Sequence, residues 1–416
     1  MAKVTKRIGL SLGADLCWPF CYEEIIKQLK LELPIGKRTV SFEVERVNIE
    51  PHRLSDGPRY DLVMDRLTHW YRTSREWIKK IAIMDDTYVL NSPWTFQSME
   101  KQTSYCAMMR LGMPIPDTWL VPPKEHEENP DLQRTLENYA QLFDLGEIGD
   151  KIGYPLFMKP YDGGAWVGVT RIENAEQLRA AYEKSGQHIM HLQEAVDPYD
   201  VFVRCLGVGP QARVMRYDPT KPLHDRYVVG EHNLEDKEHA ALRASTLTIN
   251  SFFGWDFNSC ELLRHTKTRV WHPIDFANAC PDSQVTSLHY HFPWLVMAKI
   301  RWSLFCAATE RPMKLNQDWK PYFKIADTDM STEEKLIEYG KLGEKHFETA
   351  KFEEFCDKHL GNLEEVVGEF FGTDVAKEII RDKVSSMYPE HEWDEFADLF
   401  WSRVQEWREH TAQTAS

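Results

Sequence analysis

No CxxC pair occurs among the eight cysteines of this 416-residue chain, which removes the zinc ribbons and dithiol redox motifs that need that spacing. The cysteines (17, 21, 106, 205, 260, 280, 306 and 356) are scattered. A chain this long buries enough core to need no stapling, so reduced thiols in a cytoplasmic protein are expected. Cys17 and Cys21 read as packing residues at the start of a helix, with a redox or metal role as the alternative. Positive charge is in deficit: 50 Lys and Arg against 65 Asp and Glu leave a formal charge of −15. Such a surface repels polyphosphate backbones and no basic patch interrupts it, so no nucleic-acid partner is expected. Long apolar runs are missing as well. The greasiest stretch, 294 to 308, contains Lys299 and Arg301 and falls short of the roughly 20 residues that a bilayer requires. It reads as a buried helix, and no membrane partner is expected. The apolar N-terminal stretch is broken early by Ser, Gly and Asp, which a signal peptide does not tolerate. Pro and Gly, at 22 and 21, are too few for low complexity.

Several catalytic signatures are also absent. GKRT at 36 to 39 lacks the upstream glycine of a phosphate loop. GVGPQA at 207 to 212 imitates a dinucleotide fingerprint, but an apolar run follows where a helix should open, so it reads as a hairpin turn. There is no HExxH, GxSxG or kinase catalytic loop. His289 and His291 alternate like strand side chains and could share a metal, yet no third ligand stands near them in sequence.

What is present alternates. Apolar runs at 7 to 12, 40 to 47, 60 to 64 and 88 to 90 are separated by helical patterns after Pro19 and around 72 to 86. That order predicts an open α/β unit with a mostly parallel sheet over residues 1 to 95. A second pattern follows over 96 to 195. It holds a helix near 97 to 111, a Pro-flanked extended segment, strands at 155 to 159 and 166 to 171, a helix opened by Asn174 and Gln177, and a strand ending at Gln193 and Glu194. Residues 196 to 330 predict a hairpin at 200 to 217, a helix at 235 to 252, strands at 256 to 263 and 268 to 276, and a helix at 292 to 309. From 331 strand signals vanish. Ser331 and Glu334 mark a helix start, and Trp393, Phe396, Ala397, Phe400, Val404 and Trp407 recur at helical spacing. The segment 331 to 416 is therefore a helical extension, read as a cap on the body rather than a partner-binding surface.

The informative motif is GYPLFMKPYDGGAWVGV at 153 to 169. A strand delivers Lys159 at its end, Asp162, Gly163 and Gly164 follow, and a strand returns. A tight hairpin alone explains a Gly pair. A fixed cation beside backbone amides freed by glycine is also what a triphosphate requires. The surroundings favour the second reading. Lys101 lies in a helix about 58 residues earlier, HLQEAVDPYD ends a strand in Gln193 and Glu194 with Asp200 beyond, GWDFNSCELL places Glu261 on a strand, and HPIDFANACPD carries Asp275 and Asn278.

This ordered set resembles the ATP-grasp superfamily, which includes glutathione synthetase, D-alanine:D-alanine ligase and the ligases that add glutamate to ribosomal protein. The likeness covers roughly residues 1 to 325. It implies an ATP-grasp fold preceded by the open α/β domain and followed by the helical extension, with ATP and Mg²⁺ as cofactors. By the resemblance Lys101 and Lys159 hold the phosphates, and the loop from Asp162 through Gly163 and Gly164 to 168 closes over them. Gln193, Glu194, Ala195 and Val196 form the adenine-binding linker, and Asp200 takes the ribose with Glu194 in reserve. Glu261, Asp275 and Asn278 are the implied magnesium ligands, hard oxygens of the kind Mg²⁺ selects. The family closes with Glu-x-Asn, whereas here Asp275 and Asn278 are three apart. In a regular strand they face opposite ways, so convergence needs a bulge or strand end before Asn278. Without one, Glu261 and Asp275 ligate alone. Arg216 and Arg226 are implied as the cations that steady the transferred phosphoryl group and a substrate carboxylate.

The function implied is an ATP- and Mg-dependent carboxylate-amine ligase working through an acyl phosphate on a small amino acid or peptide-like substrate. The alternatives are an ATP-grasp phosphotransferase and a nucleotide-binding scaffold without turnover. Partners are then small carboxylates and amines, with self-association left open. Asp65, Arg66, His69 and Trp70 could bind a zwitterion or simply form a helix surface.

Overall fold

A computed structural model describes all residues except 1, 14, 69–70, 96–99, 140–141, 164–165, 231–233, 279 and 416. The chain forms two compact units, one made of residues 1–96, 204–259 and 279–416, the other of 97–203 and 260–278.

The first unit opens with a five-stranded sheet. Its strands are β1 (Ala2–Ser11), β2 (Leu33–Ile35), β3 (Arg38–Arg46), β4 (Leu62–Asp65) and β5 (Tyr88–Leu90), in the order β2-β3-β1-β4-β5. All neighbours are parallel except the β2–β3 pair, which bears out the mostly parallel sheet expected from the alternation. The helix α1 (Cys17–Leu29) lies in the connection from β1 to β2, and α2 (Arg72–Met84) supplies the crossover from β4 to β5. In α2, Ile78, Ile81 and Ala82 recur at helical spacing and pack on Tyr60, Val63 and Val89. Cys17 and Cys21 are free and buried in α1.

In the second unit, α3 (Lys101–Arg110) leads to β6 (Thr118–Val121), α4 (Pro130–Tyr139), α5 (Leu145–Ile152), β7 (Leu156–Pro160), β8 (Thr170–Ile172), α6 (Ala175–Glu183) and β9 (Met190–Glu194). The strands form an antiparallel sheet in the order β6-β9-β7-β8. Asp144 caps α5 by accepting from the amides of Gly146 and Glu147. Asn174 caps α6 through the Gln177 amide at 3.0 Å, but Gln177 reaches back to Glu173 rather than to Asn174, one residue off the expected reciprocal box. One face of this sheet is apolar: Leu156, Met158, Ile172, Met190 and Leu192 bury against Leu178, with α5 and α6 over them. Because side chains alternate along a strand, Lys159, His191 and Gln193 occupy the other face.

A second four-stranded sheet follows, made of β10 (Tyr199–Val208), β11 (Gln211–Arg216), β12 (Phe257–His265) and β13 (Trp271–Asn278), in the order β11-β10-β12-β13. The chain passes between the two units along β10 and again along β12. Gly209, at φ +55, makes the β10–β11 turn, so the GVGPQ segment is a hairpin as read.

Within the first unit, α7 (Asp236–Phe253) precedes the short α8 (Val285–Leu288) and the buried α9 (Phe292–Ala308). The remaining helices are α10 (Lys320–Ala326), α11 (Thr332–Phe347), α12 (Thr349–His359), α13 (Leu363–Phe370), α14 (Asp374–Ser385) and α15 (Trp393–Ala415). Ser331 and Glu334 form the predicted capping box. Phe347 and Phe352 set their edges against Trp302 of α9, and Phe355 sets its edge against Phe305. The tail's apolar face is thus core of this unit. Among the described residues no helix is long and apolar enough to cross a membrane.

Candidate functional site

The polar face of the antiparallel sheet in 97–203, together with β13 and the end of β12, gathers the charged residues singled out in sequence. Lys159 leaves the middle of that sheet and is buried. Its ammonium donates to the Gln193 side-chain oxygen at 2.7 Å, to the Ile274 carbonyl at 3.1 Å and to the Tyr105 hydroxyl at 3.2 Å. Burial lowers its pKa to about 8 against the pull of Asp275 and Glu261, and the nearby Lys101 charge pushes the same way as burial. Lys101 opens α3, buried to 6% exposure. Its ammonium donates to the Gly163 carbonyl at 2.9 Å and lies 3.8 Å from an Asp275 oxygen. Two lysines and two carboxylates therefore share one neighbourhood, although 174 residues separate Lys101 from Asp275 (275 minus 101).

Sequence reasoning passed over three residues that complete the cluster. Tyr105 stands one helical turn beyond Lys101, and that i, i+4 spacing was the signal that could have found it. Its hydroxyl donates to the Ile274 carbonyl at 2.8 Å. Burial first, and then the charge of Asp275, holds the phenol well above its ordinary pKa, so it stays protonated. His191 pairs with Lys159 across β7 and β9 and is bonded to Gln102 at 2.8 Å. Burial and the two lysines push its pKa down to about 4, so it is neutral at pH 7. Gln102 is the third.

The remaining predicted residues fall as follows. Asp162 and Gly163 are exposed in the loop after β7, Gly163 at φ +89, while Gly164 lies outside the described residues. Gln193 is buried and splits its amide, its oxygen accepting from Lys159 and its nitrogen donating to the Thr118 hydroxyl at 2.8 Å. Glu194 is exposed at the end of β9, Ala195 is half-buried, with its amide donating to the Pro155 carbonyl, and Val196 is buried. Asp200 is held by two guanidinium groups, with Arg264 donating to both oxygens at 2.9 Å and Arg269 to one at 2.7 Å. Glu261 is buried on β12 and Asp275 half-buried on β13. β13 runs to Asn278 itself, so no strand end precedes that residue. Among the described residues no three His, Cys, Asp or Glu side chains form a metal cluster.

Arg216 and Arg226 belong to the other unit. Arg226 donates to the Lys221 carbonyl at 2.9 Å and to the Tyr217 hydroxyl at 3.4 Å. His289 and His291 lie on a short 3-10 turn, not a strand. The His289 ring accepts from the Tyr290 amide and His291 contacts the Val228 carbonyl, which corrects the alternation read from sequence.

That first unit also carries a buried charge cluster around Arg66. Arg66 donates to Asp15 at 2.9 and 3.4 Å and to the Pro281 carbonyl at 2.9 Å. Lys299 of α9 stands 3.4 Å above the Trp18 ring and donates to Ser283. Burial, with Arg66 beside it, drives its pKa well below the usual lysine value. Asp65 instead accepts from Ser11 and the amides of Leu67 and Thr68, bracing its own loop. His69 and Trp70 are outside the described residues.

No family model matches the chain. Segments of it are similar to D-alanine–D-alanine ligases. A stretch of 56 residues is 40% identical to the enzyme of Dechloromonas aromatica, covering 13% of this chain and 19% of that one. Another of 102 residues is 28% identical to the vancomycin B-type resistance protein VanB of Enterococcus faecalis, covering 23% and 30%. The chain thus spans about a fifth to three tenths of the length of the curated relatives it matches. Among solved structures it is similar to a RimK domain ATP-grasp protein of Sphaerobacter thermophilus, at TM-score 0.47 and 14% identity over 71% of this chain and 97% of that one. It is likewise similar to D-alanyl-alanine synthetase A of Vibrio cholerae, at TM-score 0.48 and 14% identity over 74% and 98%.

Proposed function

We propose that this chain is an ATP-grasp enzyme: an ATP- and Mg-dependent ligase that joins a small carboxylate to an amine and releases ADP. The observation that carries the reading is the meeting of Lys101, Lys159, Glu261 and Asp275 around one neighbourhood, the set that a nucleotide triphosphate and a divalent cation need. The short similarities to D-alanine–D-alanine ligases support the same class.

A carboxylate resists attack by an amine because its leaving group would be oxide. Transfer of the γ-phosphoryl group converts it to an acyl phosphate, whose leaving group is phosphate. Donor and acceptor are both anionic, so the protein's task is to position them and neutralise charge. Lys101 and Lys159 meet the phosphates, and the loop that follows β7 covers them and excludes water. Lys101 is already tied to that loop through Gly163. Glu194 to Val196 receive adenine. Of the two ribose candidates we assign Glu194, because the oxygens of Asp200 are taken by Arg264 and Arg269. Glu261 and Asp275 would hold magnesium, which shields the phosphate charge during transfer. We leave Asn278, three residues beyond Asp275 on β13, out of that set. Arg216 and Arg226 are kept as candidates for the substrate carboxylate. The Asp15, Arg66 and Lys299 cluster is the first unit's candidate for a zwitterionic amino acid.

The test is a panel of carboxylates and amines assayed for ADP release, with Lys159→Ala and Glu261→Ala as controls. ADP release that requires both a carboxylate and an amine supports the ligase. A phosphorylated product formed without amine makes the chain a phosphotransferase, and turnover by either variant at the parent rate overturns the site.

A further inference from the structure

One side-chain pair ties the start of α3 to the antiparallel sheet in 97–203. The Gln102 side-chain oxygen and His191 Nε2 are 2.8 Å apart, while the Gln102 amide nitrogen donates to Cys106 Sγ at 3.4 Å. That split makes the oxygen the acceptor, so Nε2 carries the imidazole proton. His191 is fully buried on β9, directly opposite Lys159 in the ladder, and its ring meets Tyr105 edge-on at 5.6 Å. Its Nδ1 has no hydrogen-bond partner among the described residues. An orphaned buried acceptor costs free energy, and a phenylalanine would fill the same space against Tyr105 without that cost. What the polar ring adds is the bond to Gln102.

Gln102 directly follows Lys101 in the first turn of α3. The Lys101 backbone amide donates to the Tyr161 carbonyl at 2.9 Å, which fixes where the helix begins but leaves it free to turn about its axis. Successive residues lie about 100° apart around a helix, so a bond from Gln102 to the sheet sets that rotation. It thereby sets the direction in which the Lys101 side chain leaves. One turn on, Tyr105 donates to the Ile274 carbonyl and accepts from Lys159, so the same helix also braces the second lysine.

We infer that Gln102 and His191 are a positioning pair for the phosphate-binding lysines. Their bond sets the direction of Lys101 and its spacing from Lys159, and so the fit of a triphosphate, without either side chain touching the ligand. The inference rests on the nucleotide reading proposed above.

The test titrates ATP with Mg²⁺ into the full chain and its variants by calorimetry, beside adenosine, which carries no phosphate and is followed by ligand-observed NMR. His191→Phe keeps the edge contact and loses the bond, and Gln102→Met keeps the length and loses the acceptor. Each should weaken ATP about tenfold and leave adenosine within about twofold of the parent. The double variant should lose no more than either single one, because both remove the same bond. His191→Gln, whose amide can still donate to Gln102, should recover most of the loss. Gln102 is half-buried, so its variant keeps the test decisive should the buried phenylalanine disturb folding. Equal weakening of ATP and adenosine, additive losses, no recovery in His191→Gln, or variants that bind ATP like the parent overturn the inference. A parent that binds no ATP overturns the nucleotide reading first, and this inference with it.

Discussion

The Lys159 ammonium and the Gln193 side-chain oxygen are 2.7 Å apart on adjacent antiparallel strands, and this contact fixes a buried cation on the polar face of the sheet. Gln193 opposes Phe157 in the ladder, so it reaches Lys159 diagonally on the same face. The lysine is therefore fixed before any nucleotide arrives.

A buried lysine with a pKa of about 8 makes nucleotide binding depend on pH. Burial disfavours the ammonium, and phosphates favour it, so binding takes up a proton once the free lysine has begun to lose its own. Affinity should hold below about pH 7 and fall as pH rises through 8, with about half a proton taken up per nucleotide at pH 8. Calorimetry in buffers of different ionisation enthalpy measures that uptake. Affinity that stays flat from pH 7 to 9.5 would remove Lys159 from the phosphate site.

Gln193→Leu should act through Lys159. Removing one acceptor from a buried ammonium costs about 1 to 3 kcal/mol, so nucleotide affinity at pH 8 should drop by about one to two orders of magnitude. The pH at which affinity begins to fall should move downward as well. A loss of affinity with an unchanged pH profile would mean the glutamine merely supports the strand.

Much of this was legible in the sequence, for reasons that differ by residue. Ser331 with Glu334, and the glycine turn at 209, announce local geometry, and local geometry is encoded locally. Lys101, Lys159, Glu261 and Asp275 were visible because their chemistry and order match a known set. Gln193 as an anchor for Lys159 was not, since it depends on strand register, which alternation alone does not fix. Asp200 looked free in sequence because Arg264 and Arg269, its partners, lie more than 60 residues away (264 minus 200). The extra residue between Asp275 and Asn278 left two outcomes open, and the extent of β13 removes one route to convergence, a strand end before Asn278.

Asp256 should leave a mark on stability. It is buried, accepts from Tyr88 at 2.9 Å and Trp302 at 3.0 Å, and burial raises its pKa to about 6 despite the opposing Arg311 charge. The native state then holds this proton more tightly than the unfolded chain, whose value is 3.8. Its contribution is therefore fully present below about pH 4 and is lost as pH rises through 6. Relative to the parent, Asp256→Asn should lose less stability between pH 4.5 and 7.5, by about 2 kcal/mol. Urea unfolding at both pH values checks it, and parallel behaviour of the two proteins would contradict it.

Deleting residues 331–416 should destabilise the first unit rather than leave an intact body. Phe347 and Phe352 cover Trp302, and Phe371 meets Phe292, so truncation strips an aromatic layer from α9. Loss of each such side chain typically costs about 3 to 5 kcal/mol, more in sum than the margin of most domains. The truncated chain should be insoluble or bind hydrophobic dyes. A soluble, cooperatively unfolding product would assign the tail a different role.

The cation requirement separates the two readings of the strand ending at Asn278. If Glu261 and Asp275 ligate alone, Glu261→Gln removes one of two carboxylates and should raise the magnesium concentration needed for half-maximal nucleotide binding by at least tenfold. Asn278→Ala should leave that concentration within about twofold, because a side chain three residues beyond Asp275 in a continuous strand faces away from it. Titrating Mg²⁺ at fixed nucleotide measures both, and replacing it with Mn²⁺, which tolerates weaker oxygen sets, should partly rescue the glutamine variant. If the alanine variant instead shifts the magnesium requirement as far as the glutamine variant does, the strand must bend between the two residues, and the asparagine returns to the ligand set.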